Sequence, residues 1–153
     1  MKCKMLIIIL IILAFVFAYR GIVFANDRIA QSLKDTLLAH PLPPETVLVD
    51  SKAVAGKMTG NGNGMQYYGM LLVKTALTEE ELAAYYRDTL ETEYGLFVDE
   101  QKTQMISDWY ADCWFEYWLG GGGHYRVTLY RDSVAGCEDS LWEAILNMDL
   151  RGH

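Results

Sequence analysis

The chain has 153 residues, with 13 basic and 20 acidic side chains and a net charge of −7. Lys2, Lys4 and Arg20 belong to an apolar N-terminal stretch, so the remainder holds 10 of the 13 basic residues, all 20 acidic ones and a net −10. That balance argues against nucleic acid as a partner, makes an anionic lipid surface repulsive to the domain as a whole, and the length allows one modest core rather than two.

Residues 5–25 are apolar apart from Arg20. A helix of that length crosses a hydrocarbon core of about 30 Å. Lys2 and Lys4 precede it and favour a cytoplasmic N-terminus, with the rest of the chain extracytoplasmic. Arg20, Arg28 and Lys34 on the other flank pull the opposite way. A secretory signal cleaved near Ala25 is the alternative, with Val23 two residues before the cut. Arg20 within the cleavage region and the resumed apolar run of Ile22, Val23 and Phe24 favour an uncleaved single-pass anchor. An Arg one turn from a helix end reaches the headgroups along its own aliphatic stem. Cys3 precedes the apolar run, so it is not a lipid-attachment cysteine placed after it.

The chain divides into an anchor (1–25), a juxtamembrane helix with a Pro-rich connector (26–44) and a folded domain (45–153). Ile29, Leu33 and Leu37 recur every fourth residue, a helical stripe that either extends the anchor as a stalk or docks on the domain. Pro41 ends it, and Leu42, Pro43 and Pro44 form a stiff connector. Residues 46–58 and 66–75 read as strands joined through Gly60, Asn61, Gly62, Asn63 and Gly64. Glycine and asparagine tolerate positive φ, so this is a hairpin loop. A phosphate cradle would need a helix N-terminus after it, and none follows.

Residues 79–94 predict a helix, opened by a Thr78/Glu81 capping box and stopped by Gly95. Leu82, Tyr86, Leu90 and Tyr94 share its buried face, with Arg87 at the exposed rim. A strand begins at Leu96. Residues 109–119 then alternate, with Trp109, Ala111, Cys113, Phe115, Tyr117 and Leu119 on one face and Tyr110, Asp112, Trp114, Glu116 and Trp118 on the other. Tyr125, Val127 and Leu129 alternate with His124, Arg126, Thr128 and Tyr130. A three-residue loop of Gly120, Gly121 and Gly122 would pair Phe115 with Val127 and bring Glu116 near Arg126 as an ion pair. Ser140 and Glu143 form a second capping box for a short closing helix carrying Leu141, Ile145, Leu146 and Met148.

These elements predict an α+β fold: the transmembrane helix, then two layers, an antiparallel sheet of about five strands with helices on one face. Following the strand directions places both glycine loops and Gly95 at one end of the sheet, an edge where an envelope enzyme could act. The other candidate binding site is the outer sheet face of Tyr110, Trp114, Trp118, Arg126 and Tyr130, suited to a protein partner or a sugar unless a helix covers it. Cys113 and Cys137 can form a disulfide in an exported domain or pack as two buried thiols. No metal or cofactor motif is present. His40, His124 and His153 are scattered, and no Ser-His-Asp signature or nucleophile elbow occurs.

The hairpin, helix, glycine and strand of residues 43–95, with Leu82-Ala83-Ala84-Tyr85-Tyr86-Arg87 and Leu90 in the helix, resemble small membrane-anchored or lipoprotein-like extracytoplasmic domains of bacteria. The resemblance covers about a third of the chain. It implies export and an α+β fold, and carries over no site residue. The function expected is a membrane-anchored extracytoplasmic protein with a partner-binding domain. The alternatives are a small envelope enzyme and an accessory subunit of a membrane complex. The apolar segment has no small-xxx-small run of the kind that pairs helices tightly.

Overall fold

The computed structural model describes residues 2–57, 64–106, 113–133, 136 and 138–152, with side chains from residue 4 onward. One continuous helix, α1 (Lys2–Ala39), carries both the apolar segment and the stripe that follows it. Its 38 residues extend about 57 Å. Every side chain from 4 to 18 is exposed. Among the described residues this is the one helix long and apolar enough to cross a membrane, and no protein covers its apolar window. Lipid is the solvent that such a surface requires.

The C-terminal half of α1 docks on the domain, where Ala30, Leu33 and Leu37 are buried. The anchor is therefore continuous with the core, and no flexible stalk separates them.

The sheet consists of β1 (Val47–Lys57), β2 (Met65–Lys74), β3 (Gly95–Glu100) and β4 (His124–Asp132), all antiparallel, in the order β1-β2-β4-β3. Helix α2 (Glu79–Thr89) connects β2 to β3, and α3 (Leu141–Leu146) follows β4. The α+β architecture is as expected, with four strands. Residues 113–119 do not join the sheet; they contribute only the isolated bridge Met105↔Trp114, and 107–112 lie outside the described residues. The expected Phe115–Val127 pairing does not form, because both edges of β4 are already taken. Val127 pairs with Leu71 of β2 and with Val98 of β3.

Helix α2 opens with the expected capping box: Thr78 Oγ1 accepts from Glu81 N at 3.2 Å, and Glu81 Oε2 accepts from Thr78 N at 2.9 Å. It ends at Leu90, earlier than expected, and Gly95 is the first residue of β3. Gly95 pairs with Tyr130, whose ring lies where a β-carbon would stand, 1.6 Å from Cε1. At α3, Ser140 Oγ accepts from Glu143 N at 3.2 Å, whereas the Glu143 carboxylate turns to Asp139 N and Arg131.

Two apolar clusters lie on opposite faces of the sheet. Leu33, Leu37, Leu71, Val73, Leu82, Tyr86, Val127 and Leu129 form the core beneath α1 and α2. Met70 and Leu72, on the other face of β2, pack against Ile106, Cys113 and Phe115. The second layer of cover is thus formed after β3 by residues 101–106 and 113–119, hereafter the flap. Cys113, Phe115 and Leu119 do face a core, but one on the far side of the sheet from the helices, while Tyr117 is exposed and Trp109 and Ala111 lie outside the described residues.

Where α1 meets the domain, a buried polar network holds it. Asn26 and Asp149 are both fully buried. Asn26 Nδ2 donates to Asp149 Oδ2 at 2.9 Å and to the Leu146 carbonyl at 3.1 Å, while Tyr67 OH donates to Asn26 Oδ1 at 2.9 Å. Arg151 donates to Asp149 at 2.8 Å and to Asp27 at 2.7 Å. Burial pushes the Asp149 carboxyl up, but the bonds from Arg151 and Asn26 outweigh it and hold the group below its usual range. Burial pushes the Tyr67 phenol up to about 12, so it remains a neutral donor. The tail then pairs with β1 through Lys57 N to Arg151 O at 2.9 Å, and Gly152 takes a φ of 90° there, where a β-carbon would clash with Lys57 O.

Candidate functional site

The outer face of the sheet is built by one parity of each strand. His124, Arg126, Thr128 and Tyr130 of β4 lie on it, beside Tyr68, Met70 and Leu72 of β2. Three regions follow along it.

Nearest the Met65 end of β2, Tyr68, Tyr130 and Phe97 form an aromatic ladder across three strands. Tyr130 stacks on Phe97 with centroids 4.6 Å apart and on Tyr68 at 6.1 Å. The glycine at position 95 makes this possible, since the Tyr130 ring occupies its missing side chain's place. Ring stacking of this kind adds roughly 0.5–1.5 kcal/mol beyond area burial.

In the middle the flap covers the sheet. Asp50 Oδ2 accepts from the backbone N–H of Glu116 at 2.7 Å and of Tyr117 at 3.1 Å, fixing the flap's turn. Ile106 N donates to Cys113 O at 2.9 Å and Phe115 N to Gln104 O at 3.0 Å, so the flap's two limbs brace each other. Gln101 Nε2 ties its base through Thr103 O at 2.7 Å and Met105 O at 3.0 Å. Phe115 and Cys113 point inward. Cys113 is a free thiol that burial pushes up in pKa, an environment that keeps it unreactive. The suggested bridge is not formed at Cys113, and Cys137 lies outside the described residues.

The solvent side of the same flap exposes three large apolar side chains among polar ones. Trp118 is 79 % exposed, Trp114 51 % and Met105 58 %. A groove of about 280 Å³ runs beside Trp118 between Lys102, Thr103, Gln104 and Leu119.

At the end where β4 begins, an open cleft of about 570 Å³ is lined by Glu79, Asp99, Glu100, Gln101, Lys102, Thr103, Met105 and Arg126. Its charges serve the structure. Arg126, largely buried, donates to Asp99 at 2.8 Å, the cross-strand partner the register gives it. Lys102 pairs with Glu100 at 3.0 Å, which raises the Lys102 pKa, and Glu79 accepts from Glu100 N at 3.2 Å. This corrects the expected Glu116–Arg126 pair: Glu116 sits in the turn held by Asp50. Beneath the flap, both ring nitrogens of His124 and the Thr128 hydroxyl are buried with no hydrogen-bond partner among the described residues. The Tyr117 ring lies 6.0 Å from the His124 ring. No group of three or more His, Cys, Asp or Glu able to hold a metal occurs among the described residues.

The residues expected to form one aromatic face are thus separated. Trp114 and Trp118 lie on the flap's outside, Arg126 under its edge and Tyr130 in the ladder, while Tyr110 is outside the described residues. The glycine-loop edge fares differently. Gly64 adjoins Met65, and Gly60, Asn61, Gly62 and Asn63 lie outside the described residues. Gly123 accepts from Thr75 N at 3.0 Å, at the other end of β2, about 30 Å away. Gly95, paired with Tyr130 beside Tyr68, lies at the Gly64 end of the sheet as expected, whereas Gly123 lies at the other, so the three glycine segments do not all converge. The flap stays on one face instead of adding a strand, so the chain re-enters the sheet at the opposite end from that expected. Met105 and the Asp50 clasp have no signal in the sequence, because an irregular segment has no period to follow.

Comparison with protein-family models, curated proteins and solved structures finds no match to this chain.

Proposed function

We propose that this membrane-anchored chain is a docking protein, whose domain is extracytoplasmic and binds a protein partner of the cell envelope through the outside of the flap. One observation carries the reading: Trp114, Trp118 and Met105 stand in solvent on a segment pinned by Asp50, Gln101 and Gln104. Tryptophan and methionine are enriched at the centres of protein interfaces, and a pinned segment loses little entropy on binding. The groove beside Trp118 offers space for one partner side chain. A protein fits better than a small substrate, because the charges of the adjacent cleft are engaged in holding β3, β4 and α2 together. Lys2 and Lys4 before the span, and the resemblance of residues 43–95 to anchored bacterial envelope domains, support export.

Photo-crosslinking from the flap in intact cells tests both parts. A discrete crosslinked protein should appear with a reactive group at Gln104 and vanish in Trp114→Ser/Trp118→Ala, with the chain still folded and membrane-bound. Persistence of that product in the double variant would refute the flap as the docking surface. Protease added to intact cells should cut the domain; protection until lysis would refute export.

A further inference from the structure

The C-terminal segment presents a second apolar surface, at the other end of the domain. Leu141 is 80 % exposed, Trp142 56 %, Met148 62 % and Leu150 67 %. Four large apolar side chains within ten residues is an exposed patch that demands an occupant.

Its place identifies that occupant. The segment is fastened to α1 at the edge of the apolar span itself. Leu150 N donates to Tyr19 OH at 3.4 Å, and Arg151 Nη2 to the Val23 carbonyl at 3.4 Å. Asn26 holds the end of α3 through the Leu146 carbonyl. Tyr19 lies six residues before Ala25, the end of the apolar run, or about 9 Å along the helix. Helices that lie in a membrane interface bury their apolar side about 5–10 Å into the headgroup and acyl boundary. The two depths coincide. A tail fixed beside Tyr19 cannot stay clear of a bilayer that α1 crosses.

We infer that α3 and the residues after it form an interfacial foot, with Leu141, Trp142, Met148 and Leu150 seated in the leaflet from which α1 emerges. The chemistry agrees. Tryptophan prefers this boundary, where its ring is buried and its N–H remains wet. Arg20 directly follows Tyr19 on α1, where its guanidinium group can meet lipid phosphates. The net −10 of the domain does not oppose this, because the charge close to the foot is mixed. Asp149 and Asp27 share Arg151, Glu143 pairs with Arg131, and Arg20 and Arg28 of α1 add two further positive charges. The foot and α1 together give two attachments, so the domain holds one orientation and carries the flap away from the lipid. The foot depends on the anchor alone and stands whether or not the flap binds a protein.

The test uses the full chain in phosphatidylcholine vesicles, with Trp109, Trp114 and Trp118 changed to Phe so that only Trp142 emits. Trp142 fluorescence should shift to the blue and lose intensity when the lipid is brominated in the upper acyl chain, and iodide in the water should quench it poorly. A companion chain keeping only Trp118 should show the reverse. Equal behaviour of Trp142 and Trp118, with no loss in brominated lipid, would overturn the foot. Should the triple Phe chain fail to fold, Leu141→Cys in a Cys3→Ser/Cys137→Ser chain takes an environment-sensitive label, Cys113 being buried. Lipid-like emission quenched by spin-labelled lipid supports the foot, and water-like emission refutes it.

Discussion

Gly69 and Lys34 are in direct backbone contact: a β-carbon on Gly69 would lie 2.1 Å from the Lys34 nitrogen and 2.4 Å from the Leu33 carbonyl carbon. Helix α1 crosses the central strand β2 at that point, and only glycine permits the approach. The contact joins the membrane helix to the core, since Leu33 and Leu37 bury their side chains beside it.

Gly69→Ala therefore forces α1 off the sheet. Backbone on both sides leaves nothing flexible to yield. Overpacking of this kind costs about 1–3 kcal/mol. Thermal unfolding of the detergent-solubilised chain, followed by near-ultraviolet circular dichroism, should show a midpoint lowered by several degrees. Membrane insertion should be unaffected, because residues 4–18 make no contact with the domain's core. An unchanged midpoint would mean that α1 is not seated on β2 as described.

Asn26 is the next point of attachment, and its loss should cost more. Its side chain satisfies Tyr67 OH, the Leu146 carbonyl and one oxygen of Asp149 in a dry site. Asn26→Leu orphans the Tyr67 hydroxyl, at a cost of about 1–3 kcal/mol for a buried unpaired group, and removes two further hydrogen bonds, although the Leu146 carbonyl keeps Asp149 N and the Asp149 carboxylate keeps Arg151. Asn26→Asp keeps the shape but sets a second carboxylate against Asp149. Two carboxylates at hydrogen-bond distance cannot both ionise freely, so one is raised in pKa. That variant should be markedly unstable at pH 7 and recover as the pH falls towards 5. Melting both variants across pH distinguishes a lost hydrogen bond from a charge conflict.

The native network has the opposite pH dependence. Asp149 is held below its usual value of 3.8 by Arg151 and Asn26 against the effect of burial. A carboxyl depressed in the folded state contributes stability that is complete above its unfolded pKa. That contribution is lost as pH falls through the folded value. Unfolding midpoints should thus be flat above about pH 5 for this group and decline below pH 4. Arg151→Gln should abolish much of the decline, since the partner that depresses the carboxyl is gone. A wild-type acid limb that survives unaltered in Arg151→Gln would assign the effect to other carboxylates.

The parts of this fold that were legible have a period. The stripe of Ile29, Leu33 and Leu37, the Thr78/Glu81 box and the alternation of Tyr125, Val127 and Leu129 each report a local geometry, and each stands as read. The flap was misread because its alternation of Cys113 and Phe115 is real, but a buried alternation does not say which face of the sheet it covers. A signal was present in β2. Met70, Leu71, Leu72 and Val73 are apolar at both parities, the pattern of a strand covered on both sides. Helices α1 and α2 serve only one side, so something else had to serve the other. The network of Asn26, Tyr67, Asp149 and Arg151 was not legible at all. Its members are up to 125 residues apart, between Asn26 and Arg151, and each is individually an ordinary polar residue. Of the candidate site, the sequence left open whether Trp114 and Trp118 are exposed or covered by a helix; both are exposed, and their separation from Arg126 and Tyr130 follows from the flap.

His124 separates a structural role from a functional one. It is 1 % exposed, and neither ring nitrogen has a hydrogen-bond partner among the described residues. Burying such a group without a partner costs about 1–3 kcal/mol by mutational measure. Removing it should therefore help the fold. Leucine is close to histidine in volume and fills the space beside Tyr117 and the β4 backbone without polar atoms. His124→Leu should leave the unfolding midpoint unchanged or raise it by a few degrees. A loss of 2 kcal/mol or more would show that the imidazole is satisfied, through an ordered water for example. The same variant reads the flap. If His124 merely fills space under Tyr117, crosslinking from Gln104 should persist in His124→Leu at the wild-type level. A more stable chain with weakened crosslinking would mean that the buried imidazole is kept at a cost to stability, for the sake of the flap's docking surface.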